Sequence, residues 1–424
     1  MFNSIKLNNL IETETNLTNP IETDLIRFER TNITKLDNWN QCSCYTLLDT
    51  IDFNIVKPTK TNSIDSNLVT LTIIGSYDKP LLGGGDIPWN KIRDKIKRVI
   101  IKGKIIFNEK YSSLKGLFYN CSKLETIEGL NNLDTTNVTD MSRMFGGYNG
   151  NGCKLTKLDL SNWNTSNVID MSYMFCKCWD LVEVNLSNWN TSNVIDMSSM
   201  FMYCSQLTKL DVSHFNTSNV KYLASMFHNC SRLTEINVSN WNTDNVVELS
   251  WMFDGCESLT ELDLNHFNTS NVTDMNGMFE SCSSLTKLNI SNWNTSKVIW
   301  LSDMFMNCKS LIELDVSQWN VSKVEDMRWL FKNCSSLTKL DLTNWNTNNT
   351  NMYELCYGCT NLKSIDLSNF NFEGDMYISS MLRNCPQLES IKFSNNTNIS
   401  QCLKFMFEYD GHETYEVDVD DFMI

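Results

Sequence analysis

The amino-acid sequence predicts a β-rich solenoid, and three observations carry that prediction. An aromatic residue followed by Asn recurs at Trp163, Trp189, Phe215, Trp241, Phe267, Trp293, Trp319, Trp345 and Phe370, every 26 residues until a last interval of 25. Only stacked identical units keep a period for so long. Each unit opens with an alternating apolar run, L-x-x-L-x-L, as in Leu155, Leu158 and Leu160, the pattern of a strand with one buried face. Alanine occurs once, at Ala224, amid abundant Asn, Ser and Thr. Without the best helix former, and with many residues that compete for backbone hydrogen bonds, a helix bundle is excluded in favour of strands and turns. The 424 residues are therefore read as one core extended rung by rung.

Taken in chain order, residues 1–66 are polar and read as an irregular N-terminal segment, with Trp39, Cys42 and Cys44 as its most distinctive residues. Residues 67–109 read as an N-terminal cap that covers the open edge of the first rung, containing V-T-L-T-I at 69–73 and G-G-G-D-I-P-W at 83–89. Residues 110–408 form the solenoid of about ten rungs, spaced like paired strands, roughly 4.8 Å apart. Residues 409–424 are acidic and read as a C-terminal tail or cap.

The unit reads L-x-x-L-x-L-S-N-W-N-T-S-N-V-x-D-M-S-x-M-F-x-x-C-x-x. Its strand opening is the signature of a leucine-rich repeat. The aromatic residues should stack ring over ring along the rod. The Asn after each aromatic, such as Asn164 and Asn190, is expected to point inward and pair turn backbone that burial would leave unpartnered. D-M-S-x-M-F, as in Asp170–Phe175, is expected to form a single helical or 3₁₀ turn with Met171, Met174 and Phe175 inward. The closing cysteines, among them Cys178, Cys204 and Cys230, admit a metal or redox ladder or a repeated small buried hydrophobe. One ligand per rung does not make the four-ligand set that zinc needs, so the packing reading is preferred.

The unit at residues 155–178, LTKLDLSNWNTSNVIDMSYMFCKC, closely resembles the mycoplasma lipoprotein-type repeat of the BspA-like leucine-rich repeat surface proteins. The resemblance spans residues 110 to about 408, and the cap at 67–109 is similar to the segment that precedes such repeats. It implies adhesion or protein binding rather than catalysis, usually at the surface of bacteria or protists, with related repeats in large DNA viruses. No signal peptide or lipobox cysteine is found at the N-terminus. The expectation is thus a cytoplasmic or virion-associated protein, with reduced cysteines.

Composition narrows function further. The net charge of −15 and a pI near 4.8 argue against nucleic-acid binding, and no run of eighteen apolar residues suits a membrane span. No catalytic constellation, metal set or cofactor motif appears. His214, His266 and His228 are variants of repeat positions, Cys356 and Cys359 lack the context of a redox motif, and the glycines at 83–85 lack a phosphate-loop Lys. Carboxylates such as Asp211, Glu235 and Asp263 keep a sugar-hydrolysing solenoid as a remote alternative. The candidate protein-binding face is the outward side of the strands, carrying Lys157, Asp159, Glu183, Lys209, Asp211, Glu235, Glu261, Asp263, Lys287, Glu313 and Lys339. Its alternating charges serve either to hold rungs together or to form a mixed-charge strip for a protein partner. A virion-associated structural role is the alternative, and self-association is open.

Overall fold

The computed structural model describes residues 25–27 and 52–56 as backbone, and residues 68–74, 87–107, 112–148, 152–347, 350–372, 378–393 and 399–407. Trp39, Cys42, Cys44, the glycines at 83–85 and the acidic end at 409–424 lie outside them. The strands are β1 (Leu25–Arg27), β2 (Asp52–Val56), β3 (Val69–Ile74), β4 (Ile96–Lys102), β5 (Ile105–Ile106), β6 (Thr126–Glu128), β7 (Leu133–Asp134), β8 (Lys157–Asp159), β9 (Glu183–Asn185), β10 (Lys209–Leu210), β11 (Glu235–Ile236), β12 (Glu261–Asp263), β13 (Lys287–Asn289), β14 (Ser364–Asp366) and β15 (Ser390–Lys392), followed by one helix, α1 (Ile399–Phe407). Together they make a parallel β-solenoid of about eleven turns.

The first sheet runs β1-β2-β3-β4-β6. Its first pairings are antiparallel and its last two parallel, with Val99 opposite Ile127. The sheet thus converts the chain from hairpin-like pairing to rung stacking. Trp89 is buried here, donates Nε1–H to Leu117 O at 2.9 Å and stacks on Phe118 at 6.3 Å. At the other end α1 lies against the last rung. Cys402, Leu403 and Met406 are buried, and Ser380 N and Leu382 N donate to Phe405 O and Met406 O. One hydrophobic cluster runs from Val69 to Met406.

Within the rungs the strand side is fragmentary. β8 pairs with β9, β10 with β11 and β12 with β13, each as a separate two-stranded parallel sheet. The opposite, turn side is continuous. A column of parallel bridges runs through Ser113, Asp140, Asp170, Asp196, Tyr222, Glu248, Asp274, Trp300, Asp326 and Asn351. Between two adjacent rungs, Met171, Tyr173, Phe175 and Lys177 donate their N–H groups to Asp196 O, Ser198 O, Met200 O and Met202 O. The intervening Met174, Cys176 and Cys178 donate within their own rung, three residues back.

That pattern corrects the expected helical turn at D-M-S-x-M-F. Among the described residues of the repeats it is a chain of overlapping turns, with every second N–H reaching the neighbouring rung. Two residues per rung stand in the left-handed region, for example Tyr173 (φ 57°) and Lys177 (φ 62°), then Ser199 and Tyr203. Such a conformation is uncommon for residues other than Gly and Asn. At the first position it persists because the inter-rung bonds dictate the backbone, whereas the second is mostly Asn or Gly, as at Asn229, Gly255, Asn307 and Asn333. Gly277 (φ 58°) adds a steric reason, since a Cβ there would meet Trp251 Cδ1 at 2.3 Å.

The inward Asn column is likewise corrected. Asn164 is exposed, and its Oδ1 accepts from Ser166 N at 3.0 Å, closing a local turn. The inward polar residue is its neighbour Thr165, 1% exposed. Thr165 Oγ1 donates to Asn190 O at 3.0 Å and accepts from Asn190 N at 2.8 Å. The donation recurs from Thr191, Thr217, Thr243, Thr269 and Thr295. A short β-branched hydroxyl suits a buried bridge, whereas the longer Asn reaches its own turn.

The expected aromatic stacking is present, with Trp293, Trp319 and Trp345 nearly parallel at 6.3 and 6.2 Å. A second column, from the Phe of D-M-S-x-M-F, is tighter: Phe145–Phe175 5.6 Å, Phe175–Phe201 5.3 Å, Phe227–Phe253 5.5 Å and Phe305–Phe331 5.6 Å. Each buried ring contributes about 1.5–3 kcal/mol, with about 0.5–1.5 more for a good pair.

Candidate protein-binding faces

All eleven residues of the strand face are exposed, and the alternate inward residues, such as Leu158, Leu210 and Leu262, are buried. The register places Lys157 beside Glu183, Lys209 beside Glu235 and Glu261 beside Lys287. Their charged atoms lie 2.8, 2.7 and 3.7 Å apart. The glutamates hold the Lys157 and Lys209 ammonium groups above the usual lysine range, by hydrogen bond and then by charge. The aspartates have a local task instead. Asp159, Asp211 and Asp341 accept from the side chain and backbone N–H of Ser161, Ser213 and Thr343. These bonds, the side-chain ones first, hold their carboxyls below the usual range. Asp263 accepts from Asn265 N in the same way.

Along Lys157, Glu183, Lys209, Glu235, Glu261, Lys287, Glu313 and Lys339, like charges adjoin only between Glu235 and Glu261. There β11 and β12 belong to different sheets. An open depression of about 550 Å³ lies at this junction, floored by Ile236, Val238, Leu262 and Leu288 and edged by Glu261, Asp263 and Lys287. The Glu261 and Asp263 carboxylates beside an apolar floor suit an incoming cationic side chain with an aliphatic stem.

The turn face was not identified from sequence. Its exposed positions are the variable x of M-S-x-M-F and of F-x-x-C, and they collect large and charged residues. Arg143 lies over the Tyr173 ring at 5.2 Å, and Lys177 sits between Tyr148 and Tyr203 at 5.8 and 5.7 Å. Further along, His228 Nδ1 lies 2.7 Å from Asp254 Oδ2. Burial, reinforced by Asp254 and Asp303, pushes the Glu280 carboxyl up to about 7. Trp251, Tyr173 and Trp300 remain 37–40% exposed. Variability inside an otherwise fixed motif was the available signal.

Among the described residues the thirteen cysteines from Cys121 to Cys385 are free thiols and buried, and Cys402 is buried too. In the repeat column the thiols from Cys178 to Cys359 donate to the carbonyl of the preceding rung's Phe, as Cys204 to Phe175 O at 3.2 Å and Cys308 to Phe279 O at 3.0 Å, and Cys385 donates to Cys356 O, where Cys replaces that Phe. Burial pushes their acidity far down, Cys230 up to about 12. The position therefore takes a small apolar residue that also satisfies a carbonyl. His214 and His266 bond Leu186 O and Val238 O at 3.0 Å. Among the described residues no group of three or more His, Cys, Asp or Glu is placed to hold a metal ion, and no helix is long and apolar enough to cross a membrane.

A parallel solenoid with an L-x-x-L-x-L strand face and a turn-linked opposite side defines a leucine-rich repeat protein. The profile of the family described as "Mycoplasma protein of unknown function, DUF285" matches residues 112–235, 148–259, 231–313 and 311–419. The chain belongs to this family of BspA-like leucine-rich repeat proteins. Among solved structures it is similar to a leucine-rich cell surface protein from Faecalibacterium prausnitzii, at 14% identity and a TM-score of 0.34, over 84% of this chain and 96% of that one. An internalin from Listeria monocytogenes shows 18% identity and a TM-score of 0.22, over 72% and 89%. A leucine-rich repeat protein from Leptospira interrogans shows 12% identity and a TM-score of 0.25, over 75% and 78%. No curated protein matches the chain.

Proposed function

We propose that this protein is a non-enzymatic protein-binding scaffold whose strand face seats a partner's basic side chain at Glu235 and Glu261. The observation that carries the reading is the depression of about 550 Å³ at this junction, edged by Glu261 and Asp263, with Glu235 on the adjacent rung. Glu235 and Glu261 keep their own lysines, Lys209 and Lys287, on the sides away from the junction. An arriving cation would share these carboxylates with the two lysines while its stem covers Leu262 and Leu288. The rod supplies the rigidity, because each rung is bonded to the next along the whole turn side.

Affinity capture with the wild-type chain and with a Lys209→Glu, Glu235→Lys, Glu261→Lys variant tests this. A partner retained by the first and lost from the second supports the strand face. Equal retention of every recovered partner rejects it.

A further inference from the structure

The turn face carries opposite charges and exposed rings at matched distances on either side of one rung. Take the rung of Ser225 and His228 as the centre. Three rungs towards the N-terminus the x of M-S-x-M-F is Arg143, and three rungs towards the C-terminus it is Asp303. Two rungs out, the corresponding residues are Tyr173 and Gly277, and the indole of Trp251 lies on Gly277. On the same two rungs stand Lys177, second after its Phe, and Glu280, first after its Phe, so these two lie in neighbouring columns. Arg143, Tyr173 and the Trp251 ring are exposed, while Lys177, Glu280 and Asp303 are half-buried.

A two-fold axis lying in the plane of this face and perpendicular to the rod maps each rung onto the one equally far beyond the centre, keeping each column opposite itself. We propose that the chain forms an antiparallel homodimer through its turn faces, centred on His228, with Arg143 of each copy meeting Asp303 of the other in the same column and Lys177 reaching Glu280 one column over. Tyr173 then packs on the other copy's Trp251. Every contact occurs twice, so four charge pairs and two aromatic pairs form at once. At the axis His228 Nδ1 lies 2.7 Å from Asp254 Oδ2 of its own chain.

The charges explain why acids gather on the turn face where they do. Asp254, Glu280 and Asp303 crowd one another, and burial holds the Glu280 and Asp303 carboxyls above their usual range. Incoming guanidinium and ammonium groups would favour their ionised forms. The rungs from Arg143 to Asp303 span about 30 Å of rod. A narrow strip of that length suits a modest, salt-sensitive interface rather than an obligate one.

Sedimentation equilibrium of the full chain, from about 1 to about 100 µM at low and high salt, tests the proposal. A monomer–dimer equilibrium weakened by salt is expected. Arg143→Glu and Asp303→Arg should each weaken it at least about tenfold, and the double variant should restore it. Lys177→Glu with Glu280→Lys repeats the logic should either first variant fail to fold, with thermal unfolding as the check on folding. A wild type that stays monomeric throughout overturns the proposal. So does a dimer indifferent to the single reversals, or a double reversal that fails to rescue.

Discussion

The two long sides of the rod are joined by different means. On the strand side, segments of two or three residues pair in twos, and the exposed residues between rungs are lysines and glutamates. On the turn side, four inter-rung backbone bonds recur for rung after rung, with the Phe and Cys columns packed directly behind them. The side that looks most like a sheet in sequence is thus the less continuous. Cohesion resides where the motif reads as loop, because a buried turn must find a partner for every N–H and C=O.

The sharpest way to break this comparison is to cut an equivalent apolar residue on each side. Leu223→Ala on the turn side should cost about 3–5 kcal/mol, because Leu223 is fully buried and its N–H is bonded across to Glu248 O. Leu210→Ala on the strand side should cost less, about 2–3 kcal/mol. Chemical denaturation read by tryptophan fluorescence decides, and equal losses would end the claim of asymmetry. Next in size, Thr243→Val removes the buried hydroxyl bond to Asn268 O and should cost about 1–2 kcal/mol. Asn242→Ala removes only an exposed turn bond to Asp244 N, and about 0.5–1 kcal/mol is expected. The reverse order in urea midpoints would restore the inward Asn.

A pH effect confined to the turn side gives a separate test. A carboxyl that binds protons more tightly when folded loses stability as pH rises through the interval between its two pKa values. For Glu280 that interval runs from about 4.3 in the unfolded chain to about 7 in the folded one. Glu280→Gln should therefore stabilise the protein at pH 8, leave it little changed at pH 4, and flatten the decline between. A midpoint that falls equally in both proteins would assign the decline to other groups. Smallest of all, Lys209→Ala should leave the thermal midpoint where it was, since both members of its pair are exposed.

The period, the inward leucines, the aromatic column and the buried cysteines were all legible, because each depends on a spacing that alternation or stacking imposes. Three features were not. In N-T-S all three residues are polar, and only the depth of the turn decides that Thr165 faces in and Asn164 out. Left-handed backbone at Tyr173, Trp251 and Trp329 leaves no mark in residue choice at the x of M-S-x-M-F, whereas before the ladder cysteine it favours Asn and Gly, as at Asn229, Gly255, Asn307 and Asn333. The turn-face charges at Arg143 and Asp303 stand in variable positions, and their symmetry about one rung emerges only once the rungs are stacked. Of the strand face, the Lys–Glu neighbours followed from the repeat, whereas the like-charged junction at Glu235 and Glu261 became meaningful beside its depression.

The pairing of strands in twos has a consequence for how such a rod changes length. Lys157 with Glu183, Lys209 with Glu235 and Glu261 with Lys287 each sit within one two-rung block. The same block sets His214 and His266 52 residues apart. Losing the Lys157–Glu183 block whole leaves every remaining lysine beside its own glutamate, whereas losing the rung of Glu183 alone would set Lys157 against Lys209. Charge neutrality on the strand face thus makes the double rung the natural unit of insertion and deletion, twice the length that the motif advertises.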